Sequence, residues 1–262
     1  VRIIADTHVH LYPCYDAATL LGHALRNLAA HDSSAIKIVF LTERSDCHYF
    51  RDVAEGRVGC PLSGVEFVPG EEGEVVVLKR GDDAELHVFA GRQIVTRERL
   101  EILALTVDDS FDEGEPAEAV IRTVLEAGGV PVLSWAPGKW LFERGRVVRS
   151  LLDRFRPGEL LIGDTSLRPT VWAEPFPMRR ARGAGFTVLA GSDPLPAPGE
   201  EIFAGRYATL LQDVDFDSRQ PVASIRRVLK STGLSASKVG QRGGPLEVLS
   251  RLRKHARGSS SR

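Results

Sequence analysis

The chain has 262 residues, 43 % hydrophobic and 26 % charged, with a formal net charge of −1. That size suits one α/β barrel and buries a full core without covalent staples, and the balanced charge gives no global field that would select nucleic acid or a membrane as partner. Cys14, Cys47 and Cys60 are too few and too scattered for a disulfide framework, no apolar run reaches about 18 residues, and no charged-then-apolar leader is visible, so a cytoplasmic protein is expected.

Strand-like and helix-like segments alternate along the chain, which predicts a parallel sheet with helical crossovers. Arg2 to Asp6 is a short apolar run that leads into two histidines. Asp16 is placed to cap a helix whose apolar face is Leu20, Leu21, Ala24, Leu25, Leu28 and Ala29. Ile36 to Leu41 reads as a buried strand. Glu74 to Leu78 and Leu86 to Phe89 flank Arg80-Gly81-Asp82-Asp83 and predict a β-hairpin inserted in the barrel pattern. Pro116 opens the next helix, with a stripe of Ala117, Val120, Ile121, Val124 and Leu125, and Gly128-Gly129 stops it. Val130 to Leu133, Leu160 to Ile162 and Thr187 to Ala190 are further strands, and Val147 to Phe155 is a further amphipathic helix. After about Asp213 the pattern turns helical and then basic. The expected division is a barrel over 1–212, a helical extension over 213–257 packed on it, and a disordered tail over 258–262.

The chemistry starts at Asp6-Thr7-His8-Val9-His10. Alternate side chains of a strand share a face, so His8 and His10, with roots about 7 Å apart, can converge on one cation. They close an apolar strand just before a loop, which in an α/β barrel is the functional rim. The alternative is a pair of surface histidines on a half-buried strand. No Walker loop, no dinucleotide GxGxxG after the first strand and no GxSxG elbow is present.

This opening resembles that of the PHP (polymerase and histidinol phosphatase) family of metal-dependent phosphoesterases and, more distantly, that of the amidohydrolase superfamily. Pro69-Gly70-Glu71-Glu72, Glu85-Leu86-His87-Val88-Phe89, Gly128-Gly129-Val130-Pro131-Val132-Leu133 and Gly191-Ser192-Asp193 follow in the family's order, over roughly residues 3 to 200. The resemblance implies a seven-stranded, distorted TIM-like barrel, a cluster of up to three metals and phosphoester hydrolysis. It implies as ligands His8, His10, Asp193 and one of Glu71 or Glu72, with the spacing favouring Glu72. His87 is either a further ligand or a satisfied core histidine. Asp193 either binds metal and takes a proton from water, or caps the next turn.

Several positions depart from the family pattern. Its Thr-Asp-His or Thr-Glu-His is here Thr42-Glu43-Arg44, its Ala-His-Pro falls at Ser134-Trp135-Ala136-Pro137, and its terminal Asp-x-His is Asp193-Pro194-Leu195. The remaining ligands suit one firm divalent site for zinc, manganese or iron, with a weaker second using His87 or Glu43. Arg44, standing where a ligand is missing, and Lys139 are candidates to hold a substrate anion, against a background of ordinary rim charges. Trp135 and Trp140 either wall the pocket or simply pack. The expected function is therefore metal-dependent hydrolysis of a small phosphorylated substrate. The alternatives are cleavage of C–N or C–O bonds, and a degenerate barrel that binds a ligand or partner.

Overall fold

A computed structural model describes residues 1–259. Eleven strands form one sheet: β1 (Ile3–Val9), β2 (Ile36–Glu43), β3 (Glu66–Pro69), β4 (Val75–Arg80), β5 (Asp83–Val95), β6 (Glu101–Leu105), β7 (Val130–Ser134), β8 (Leu161–Thr165), β9 (Val188–Gly191), β10 (Tyr207–Leu211) and β11 (Ala236–Gly240). The helices are α1 (Ala17–His31), α2 (Tyr49–Ala54), α3 (Ala117–Glu126), α4 (Phe142–Arg154), α5 (Phe176–Gly183), α6 (Pro221–Lys230) and α7 (Pro245–Ser259).

The spatial order is β11-β10-β1-β2-β5-β6-β7-β8-β9, with β3 and β4 stacked beside β5. The seven strands from β1 to β9, without the β3–β4 hairpin, curl into a nearly closed distorted barrel. β9 returns to β1 and β10 through side chains: the Thr7 hydroxyl donates to the Ala190 carbonyl at 3.2 Å, and the Ala190 amide donates to the Thr209 hydroxyl at 2.7 Å. The barrel is mixed rather than parallel, because β6 runs antiparallel to both β5 and β7.

Local signals produce several elements as expected. The Asp16 carboxylate accepts from the Thr19 amide at 2.9 Å and starts α1, whose Leu20, Leu21, Ala24 and Leu28 face the sheet. Pro116 precedes α3, and Gly128, at φ +80, ends it. The expected hairpin is present but only half the story. β5 continues to Val95, its first half pairing with β4 and its second half with β6 on the same edge. β6 and β10 were not anticipated: Glu101–Leu105 and Tyr207–Leu211 are short runs without alternation, a pattern that periodicity does not assign.

The barrel interior is filled by Ile3, Ala5, Ile38, Phe40, Phe89, Leu103, Leu105, Val130, Val132, Leu161 and Leu189. Its floor, the end where β1 and β2 begin, is plugged by Val222, Ile225, Val228 and Leu229 of α6. Each such fully buried aliphatic side chain contributes about 1.5–3 kcal/mol. The boundary expected near residue 213 is therefore no structural break. α6 completes the core, and β11 adds a strand to the sheet through β10. α7 runs through Gly258 and Ser259, where a disordered tail was expected, and the rest of that tail, 260–262, lies outside the described residues.

Candidate metal centre

Two strand ends at the mouth of the barrel, those of β1 and β9, bring His8, His10 and Asp193 together, all buried. The Nε2 atoms of His8 and His10 face each other at 3.0 Å, and Asp193 Oδ1 lies 3.7 Å and 3.8 Å from them. A point equidistant from three atoms so spaced lies about 2.05 Å from each, within the zinc–imidazole bond range of about 2.0–2.1 Å. Among the described residues this is the one group of three His, Cys, Asp or Glu side chains whose ligand atoms gather within 4.8 Å. The donor set fits a single divalent cation and does not decide among zinc, manganese and iron.

Local backbone geometry builds this arrangement. The register of β1 shifts between Asp6 and Val9, which turns both imidazoles inward while Val9 stays in the outer core. β9 approaches so closely that a Cβ at Gly191 would stand 2.5 Å from His8 Cβ, so only glycine fits. Asp193 adopts the left-handed backbone at φ 49, and its amide donates to the His8 carbonyl at 2.8 Å. Asp6 is a brace and not a ligand: its carboxylate accepts from the amides of Ser192 (2.8 Å) and Gly205 (2.7 Å). Burial, only partly offset by these donors, raises the Asp6 carboxyl to about 6.

Neighbouring groups hold the candidate ligands in place. Gln93 Oε1 is 2.9 Å from His8 Nε2, the Ser134 hydroxyl is 3.4 Å from His8 Nδ1, and the Thr165 hydroxyl donates to Asp193 Oδ2 at 3.1 Å. None of these three was singled out in the sequence. Ser134 and Thr165 are polar residues that end otherwise apolar strands, and Gln93 lies inside β5 beside Arg92; such polar positions are common in strands. Burial, reinforced by the His8 ring, pushes the His10 imidazolium down to about 3. His10 is thus neutral at ordinary pH, the form in which imidazole ligates.

A cavity of about 410 Å³ opens in front of the cluster, lined by His10, Tyr12, Arg44, Gln93, Lys139, Asp193 and, from α7, Leu252 and His255. Arg44 and Lys139 thus share one cavity with His10 and Asp193. Each already has an acidic partner: Arg44 Nε lies 3.3 Å from Asp46, and the Lys139 ammonium bonds Glu101. An opening of about 450 Å³ elsewhere, between β9 and β11, contains no histidine, and its Lys238 is committed to Asp164 and Glu174. The donor cluster, and not cavity size, identifies the site.

Other expected residues lie elsewhere. The Glu72 carboxylate accepts from the amides of Val222 (2.7 Å) and Ala223 (2.8 Å), so it caps α6 at the floor instead of binding metal. His87, opposite Ile38 and Val77, packs against Phe89 and Phe216 near the floor, and burial lowers its imidazolium to about 4. It is the core histidine of the two readings. Glu43 accepts from the Tyr49 amide at 2.7 Å and caps α2, so the weaker second site through His87 or Glu43 is not assembled. Trp135 and Trp140 are packed, with Trp140 Nε1 donating to the Ser134 carbonyl at 3.1 Å.

No known family profile and no curated protein matches the sequence. Among solved structures, PsfC from Pseudomonas syringae PB-5123 superposes over 98 % of both chains, with a TM-score of 0.59 and 14 % identity. A two-domain protein from Bacteroides vulgatus ATCC 8482, described as containing a predicted PHP-like metal-dependent phosphoesterase, matches with a TM-score of 0.50 and 14 % identity over 90 % of this chain and 65 % of that one. Endonuclease Q, in complex with a 27-mer duplex bearing an abasic lesion, matches with a TM-score of 0.50 and 13 % identity over 92 % of this chain and 60 % of that one. At such identities the likeness shows the fold, and the fold of this chain is the distorted α/β barrel of PHP-like proteins.

Proposed function

We propose that the protein is a metal-dependent hydrolase, with a small phosphoester as substrate. The observation that carries the reading is the His8, His10 and Asp193 triangle, spaced for one divalent ion and opening on a ligand-sized cavity. A divalent ion bound there supplies positive charge to polarise a phosphoryl oxygen and makes water nucleophilic near neutral pH. The chain supplies the rest. The imidazoles of His8 and His10 would each offer a ring nitrogen to the ion. Asp193 offers Oδ1 to the same point, while the Thr165 hydroxyl on Oδ2 fixes the carboxylate plane. Asp193 is also the carboxylate placed to take a proton from water. Arg44, half-exposed at the cavity rim, is placed to exchange Asp46 for a substrate phosphate.

A second reading, a barrel that binds a ligand without turnover, draws on one observation: the acidic partners of Arg44 and Lys139 compete with any anion. The two readings separate in an assay of purified protein loaded with Mn²⁺ or Zn²⁺ against a panel of phosphomonoesters and phosphodiesters. Hydrolysis that chelation abolishes and metal restores, read as phosphate from the monoesters and as released alcohol from the diesters, is the expected result. A firmly bound metal with no turnover on any phosphoester would favour the second reading.

A further inference from the structure

We propose that Arg251 is a positioning residue for Asp193, so that α7, more than fifty residues further along the chain, belongs to the metal centre. This inference rests on the reading of the cluster as a metal site.

The direction of the Asp193 carboxylate is set by its left-handed backbone, a conformation that persists only where the surroundings over-determine it. One side of that backbone is held by the His8 carbonyl. The other side is held by α7, where Arg251 Nη2 donates to the Asp193 carbonyl at 3.3 Å. The same guanidinium donates from Nη1 to the Ser166 hydroxyl at 3.1 Å, and Ser166 in turn donates to the Ser192 carbonyl. Its Nε and Nη2 grip the Glu200 carboxylate at 2.9 Å and 2.7 Å, and Glu200 accepts from the Leu195 amide at 3.2 Å. The turn is therefore tied to Arg251 directly at Asp193, and through Ser166 and Glu200 at Ser192 and Leu195.

α7 is also docked by the Arg206–Glu247 pair and the buried Val248, so of the Arg251 contacts docking would call on no more than the Glu200 pair and the face of Phe203, which the guanidinium carbon approaches to 4.1 Å. The remaining donors of Arg251, a residue 4 % exposed, go to the Asp193 carbonyl and to Ser166, which bonds the Ser192 carbonyl. A planar guanidinium fork serves three directions at once, whereas a lysine ammonium is a point donor. Replacing Arg251 with lysine therefore keeps the charge opposite Glu200 and releases the turn.

The test is a Co²⁺ titration of full-length wild type and Arg251→Lys, read as affinity and as the visible absorption of the bound ion. Arg251→Lys should lose about 10- to 100-fold in affinity, the range for groups that orient ligands, and its spectrum should shift while far-UV circular dichroism stays the same. Should Arg251→Lys fail to fold, Glu200→Gln decides. It keeps the shape but removes the charge that holds the guanidinium, and it should weaken Co²⁺ binding in the same direction. Folded variants that melt earlier yet bind Co²⁺ as tightly as wild type, with the same spectrum, would overturn this inference and leave the metal site standing. A wild type that binds no Co²⁺ would overturn both.

Discussion

The floor and the mouth of this barrel use buried polar groups in opposite ways. At the floor, Glu72 points at two helix amides and His87 packs between two phenylalanine rings. Each is absorbed by the fold. At the mouth, two imidazole nitrogens face each other 3.0 Å apart with a carboxylate oxygen beside them, an arrangement spaced to share one cation. A histidine in a barrel strand thus packs into the core or joins a cluster with metal-ligand spacing according to which end of the strand it occupies, and the residue type alone does not say which.

The comparison breaks most visibly at the mouth. His10→Ala should lose well over 100-fold in metal affinity together with any hydrolysis, since it removes a direct ligand. Retained metal at normal occupancy, measured by elemental analysis, would contradict the assignment. Asp193→Asn comes next. It keeps the side-chain shape, so the folded state should persist, while turnover should fall by about 10²–10⁴ for loss of the proton acceptor. Steady-state kinetics beside a melting curve separates the two effects.

Changes at the floor should sharpen the contrast by leaving metal untouched. Free histidine titrates near 6.5, and burial lowers His87 to about 4. Between those values the unfolded chain binds a proton that the folded chain does not, so stability falls as pH drops through that window. His87→Leu should abolish this contribution, of order 3 kcal/mol at its acid end. The variant's melting temperature should therefore fall less than that of wild type between pH 7 and 4.5. An unchanged pH profile would place His87 in contact with water. The smallest effect belongs to Glu72→Ala, which should cost about 1 kcal/mol through the lost cap on α6, a melting shift of about 2–4 °C. Loss of metal in that variant would instead put Glu72 at the cluster.

Much of the mouth was legible in the sequence. Two histidines at period two on a strand end carry their geometry with them, and Gly191-Ser192-Asp193 proved to be three separate requirements: close approach to His8, a bond to Asp6 and a left-handed carboxylate. Glu72 was misplaced because a Pro-Gly-Glu-Glu turn looks alike at either end of a sheet. Only the register shows that β3 and β4 hang below β6 on the edge of β5, where their turn meets α6. Arg251 was hidden for another reason: a basic helix reads as a solvated face, and nothing local reveals that one of its charges is buried against Glu200. β6 and β10 escaped because five-residue apolar runs lack a period, and their direction is decided by partners far away.

The central claim is one divalent ion held by His8, His10 and Asp193. Its most direct test is the metal stoichiometry of the purified full-length protein, by elemental analysis after equilibration with Zn²⁺ or Mn²⁺ and removal of loosely held ions, with His10→Ala measured in parallel. The account predicts one ion per chain in the wild type and none in the variant. No retained ion in the wild type, two or three firmly held ions, or one ion retained equally by His10→Ala would contradict it.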